Sequence, residues 1–83
     1  MKDATFIKKG KLPDKDVCFC IYALKSGREI KVFATSQVLK DFNCDLKTVT
    51  RLALEQALAD GLKRDEVHLT GKTYLAVKKK LRE

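Results

Sequence analysis

The stretch VCFCIYALKSGREIKVFAT, Val17 to Thr35, decides the fold. Residues 17–24 and 28–35 are rich in β-branched and aromatic side chains, and the KSG between them is a short turn, so the segment reads as a β-hairpin. Gly27 supplies the positive φ that such a loop needs. Alternation predicts a core face of Val17, Phe19, Ile21 and Ala23, matched on the partner strand by Ile30, Val32 and Ala34. Cys18, Cys20, Tyr22 and Leu24 then fall beside Glu29, Lys31 and Phe33 on a mixed second face. ATFIK, residues 4–8, is a candidate third strand.

Beyond the hairpin the period changes. Thr35 or Ser36 can cap a helix that carries Val38, Leu39 and Phe42 at helical spacing and stops near Asn43, a residue that tolerates the left-handed conformation. Asp45 is the next cap, and the helix after it runs to Gly61. Its stripe is Leu46, Val49, Ala53 and Ala57, with Leu52 on one flank and Leu54 and Leu58 on the other. VHLT, residues 67–70, is a short strand able to join the hairpin. Residues 72–83 fit a helix capped by Thr73 with Leu75, Val77 and Leu81 as its apolar residues, or a strand through Tyr74 to Val77. The expected architecture is α+β: an antiparallel sheet built on the hairpin, two central helices packed on one face, and a basic C-terminal segment. One domain spans 1–83, with residues 1–15 and 78–83 as mobile basic ends.

Composition bounds the function. A chain of 83 residues, 45% hydrophobic and 35% charged, can bury only a small core, which disfavours a deep substrate cavity. It has no apolar run near the roughly 20 residues of a membrane helix, and MKDATFIKKGKLPDKD lacks an apolar signal-peptide core. A cytoplasmic location without membrane contact is therefore expected. The formal charge is +7, and the excess gathers near the ends, in KKGK (8–11) and in KKK (78–80) with Arg82. Such clusters attract phosphate by counterion release, or simply keep a small domain in solution.

VLKDFNCDLKTVTRL, residues 38–52, has the apolar spacing of two helices joined by a tight turn. Over residues 36–52 it resembles helix-turn-helix DNA-binding elements. That resemblance implies Lys47, Thr48, Thr50 and Arg51 as nucleic-acid-binding residues, with Lys78, Lys79, Lys80 and Arg82 adding phosphate contacts. The same spacing equally fits a helical corner laid across the sheet, with Lys47, Arg51 and Glu55 as its solvated side. A broader likeness covers roughly residues 16–70: the order of VCFCIYALKSGREIKVFATSQVLKDF, Arg51, Ala57, Gly61 and VHLT resembles a family of short uncharacterised bacterial proteins known as a domain of unknown function. It implies the α+β architecture and a bacterial or phage cytoplasm, and no site residue.

Nothing in the chain spells out a reaction. Cys18 and Cys20 form a C-x-C on a strand rather than the turn-borne pairs of structural zinc sites, and Cys44 with His68 lacks any local catalytic signature. LTGKTY contains GKT without the preceding glycine of a phosphate loop. The expectation is a non-enzymatic protein with free thiols and neither metal nor cofactor, nucleic-acid-associated or regulatory. DNA or RNA is the first partner class, a protein the second, and a homodimer stays open. The rival is a protein-interaction or accessory module whose basic tail only solubilises it.

Overall fold

The computed structural model describes residues 4–82. Its elements are β1 (Ala4–Lys11), β2 (Val17–Leu24), β3 (Glu29–Thr35), α1 (Ser36–Phe42), α2 (Leu46–Ala59), β4 (Glu66–His68) and α3 (Gly71–Arg82). The fold is α+β, with the four strands in the order β1-β2-β3-β4. Of the basic ends expected to be mobile, residues 4–11 lie in β1 and 78–82 in α3, while residues 1–3 and Glu83 lie outside the described residues. No described helix is long and apolar enough to cross a membrane.

The sheet is mixed rather than antiparallel. β1–β2 and β2–β3 are antiparallel, but β4 joins β3 in parallel, because α1 and α2 carry the chain back to the end of the sheet where β3 began. Arg28 clamps that return. Its Nη2 donates to the Arg64 carbonyl at 2.7 Å and its Nε to the Asp65 carboxylate, while Lys31 N–H donates to the Asp65 carbonyl at 2.9 Å.

The hairpin also corrects the expected core. Gly27 N–H donates to the Leu24 carbonyl at 2.9 Å and Leu24 N–H to the Arg28 carbonyl at 2.8 Å, enclosing a loop of Lys25, Ser26 and Gly27, with Gly27 at φ 89°. A loop of three residues places positions of equal parity opposite one another, so Cys20 faces Val32 and Tyr22 faces Ile30. Ile30, Val32 and Ala34 enter the core as expected, joined by Cys20 and Tyr22. Val17, Phe19, Ile21 and Ala23 lie on the other face and are only half-buried.

The local helix signals behave as their chemistry requires. Thr35 Oγ1 accepts from Val38 N–H at 3.2 Å, Asn43 sits at φ 51°, and Asp45 Oδ1 accepts from Thr48 N–H at 3.3 Å. Hydrogen bonds from Thr48 hold the Asp45 carboxyl below its ordinary pKa. The buried side of α2 is Val49, Thr50, Ala53 and Leu54, so Leu54 stands in the core rather than on a flank. Val38, Val67, Leu69 and Val77 complete the core. The C-terminal segment is helical from Gly71, earlier than a Thr73 cap would start it: Thr73 and Tyr74 N–H both donate to the Thr70 carbonyl.

Candidate nucleic-acid interface

Lys47, Thr48, Thr50 and Arg51 occupy the first two turns of α2. Thr50 is fully buried. Its hydroxyl donates to the Leu46 carbonyl at 2.7 Å, and the Tyr22 hydroxyl lies 2.9 Å from it and 3.1 Å from the Lys47 carbonyl. This network presses the start of α2 onto β2, where a base-reading helix would project outward; Thr50 has no path to a base edge, which removes it from the expected binding set. Burial raises the Tyr22 phenol and the neighbouring Cys20 thiol above their ordinary pKa values. Thr48 is half-buried with its backbone N–H committed to the cap, whereas Lys47 and Arg51 are exposed. Lys47 Nζ lies 4.7 Å from the centroid of Phe6, on β1 at one margin of the sheet.

The second basic group leaves from the opposite margin. α3 follows β4, and over residues 71–82 it carries Lys72, Lys78, Lys79, Lys80 and Arg82 with no Asp or Glu. None of these five makes an ion pair among the described residues. Lys79, Lys80 and Arg82 lie in the last turn, where cations complement the helix dipole. Lys72, Lys79 and Arg82 are exposed, and Lys78 and Lys80 half-exposed. Between α1 and α3 lies an open groove of about 510 Å³, lined by Asp41, Phe42, Tyr74, Lys78, Leu81 and Arg82. Phe42 and Tyr74 stack there with centroids 4.9 Å apart. The fold thus brings Lys78 and Arg82 to an aromatic floor, while Lys47 stands over Phe6 of β1.

The cysteines and His68 are not gathered. Cys18 and Cys20 belong to the helix-covered side of β2, His68 points to the open side of β4, and Cys44 Sγ donates to the Phe42 carbonyl at 3.3 Å. The described residues hold no cluster of three or more His, Cys, Asp or Glu suited to a metal ion.

Sequence reasoning missed two features. One is the Phe42–Tyr74 groove, which joins residues 32 positions apart that carry no shared motif. The other lies on the side of the sheet away from the helices, where Gly10, Phe19, Phe33 and His68 stand in one row across all four strands. The loop parity of the hairpin was the available signal for the second, since it sends Phe19 and Phe33 to the same face. In comparisons with protein-family models, with curated proteins and with solved structures, nothing matches this chain.

Proposed function

We propose that this chain is a small, non-enzymatic, nucleic-acid-associated protein that holds phosphates on α3. The observation that carries the reading is the set of five cations on α3, with no acidic residue in 71–82 and no ion pair among the described residues. A cationic face of this kind gains affinity for polyanions by releasing their condensed counterions. Lys47, over Phe6 of β1, and the exposed Arg51 are further points of phosphate contact.

Leu75, 63% exposed in the middle of α3, favours a second reading, in which α3 docks on a protein partner and its charges only keep the domain in solution. A titration of labelled duplex and single-stranded oligonucleotides at low and near-physiological salt separates the two. Nucleic-acid association predicts a linear fall of log affinity with log salt, and replacing Lys78, Lys79 and Lys80 by Ala should reduce the duplex slope by about 0.9 for each phosphate that is no longer neutralised. Absence of binding at low salt would overturn the proposal and leave the protein-interaction reading.

A further inference from the structure

The side of the sheet away from the helices carries an organised surface. Residues Gly10, Phe19, Phe33 and His68 are cross-strand neighbours, one from each strand. Phe19 lies over Gly10, where an added Cβ would meet the tip of the ring at 2.7 Å, so glycine at this position is what lets the ring approach β1 so closely. Its centroid is 6.1 Å from that of Phe33, and Phe33 stacks on His68 at 4.7 Å with 12° between the planes. Lys31 Nζ lies 5.0 Å from the Phe19 centroid and 5.9 Å from that of Phe33. In the adjacent row, Lys8 and Lys31 flank Ile21. No described helix covers this face, and Phe19 and Phe33 remain half-buried.

We propose that this ring row is a stacking platform for the unpaired bases of single-stranded nucleic acid. The inference takes its ligand class from the nucleic-acid reading and adds a second site and a preference for single strands. Two observations favour this occupant. Phe33 has one face on His68 and is tilted 58° from Phe19, so the row offers separate ring faces, on which unpaired bases can stack and on which the bases of a duplex, stacked on each other, cannot. Lys31, held over two of the rings, places a cation where a strand crossing them carries its phosphates. A second copy of the chain fits less well, because it would present the same Lys8 and Lys31 cations to this face.

The chain contains no Trp, so Phe33→Trp introduces a single tryptophan, selectively excited apart from the two tyrosines, into the row. Its emission should be quenched on adding single-stranded homopolymeric oligonucleotides and left largely unchanged by a duplex of the same length. In anisotropy titrations of the full chain, Phe33→Leu, which keeps apolar bulk but removes the ring, should lower single-strand affinity about five- to a hundredfold and leave duplex affinity and the melting temperature nearly unchanged. Equal losses on both ligands, or no loss on either, would overturn the platform while leaving phosphate binding by α3 intact. Failure to bind any oligonucleotide at low salt would instead overturn the underlying reading. Sedimentation that showed a dimer dissolved by Phe33→Leu, with no single-strand preference, would assign the face to a second copy and overturn the proposal.

Discussion

Two isoleucines of the same hairpin allow the architecture to be tested by one matched pair of substitutions. Ile30 is fully buried against the helices, whereas Ile21 lies half-buried on the opposite face. Truncation to Ala removes three carbons; at about 0.8 kcal/mol per buried methylene the transfer loss at Ile30 is about 2.4 kcal/mol. Because Ile30 packs beneath helices that collapse only partly, a cavity contribution brings the total to about 3–4 kcal/mol. At Ile21 solvent occupies one side, no closed cavity forms, and the loss should be about 1 kcal/mol or less. For a domain of this size 1 kcal/mol corresponds to about 6 °C, so Ile30→Ala should melt about 18–24 °C below the parent and Ile21→Ala at most about 6 °C below it. Thermal melts followed by circular dichroism, with urea unfolding to confirm a common m value, measure both. Equal losses, or a larger loss at Ile21, would refute the parity of the three-residue loop and restore the face expected from alternation alone.

The same loop predicts that Gly27→Ala destabilises the domain by about 1–2 kcal/mol. The cost is purely conformational, because φ is +89° and an added Cβ meets nothing within 4 Å; an unchanged melting temperature would contradict this loop geometry. Stability should also fall in alkali. Burial raises the pKa values of the Cys20 thiol and the Tyr22 phenol, so the folded state retains protons that the unfolded chain releases. Their contribution is complete below the ordinary thiol value of 9.0 and is lost as pH rises through the raised values, with the phenol following from 10.0. Melts across this range should show the decline, and Cys20→Ala should postpone its onset toward the phenol's range; identical pH profiles for the two proteins would disprove the thiol's part.

The elements governed by their own residues were legible in the sequence. The caps at Thr35 and Asp45 and the left-handed stop at Asn43 depend on contacts within a few residues and form where the local chemistry requires them, and the apolar runs of 17–24 and near Val67 marked their strands. The α+β class follows from that order. Which side of β2 became the core did not follow from alternation, because both sides of VCFCIYAL are apolar; the register across the loop chose Cys20 and Tyr22. Thr50 looks like an exposed polar residue of an amphipathic helix, yet the Tyr22 hydroxyl from a strand 28 positions earlier gives it a buried partner. The parallel pairing of β4 depended on Arg28 holding the 62–65 loop, a contact across more than 30 residues. The two surfaces proposed for ligands divide the same way. The cations of α3 are contiguous enough to be read along the chain, whereas the ring row takes one residue from each strand and exists only once four strands have found their register.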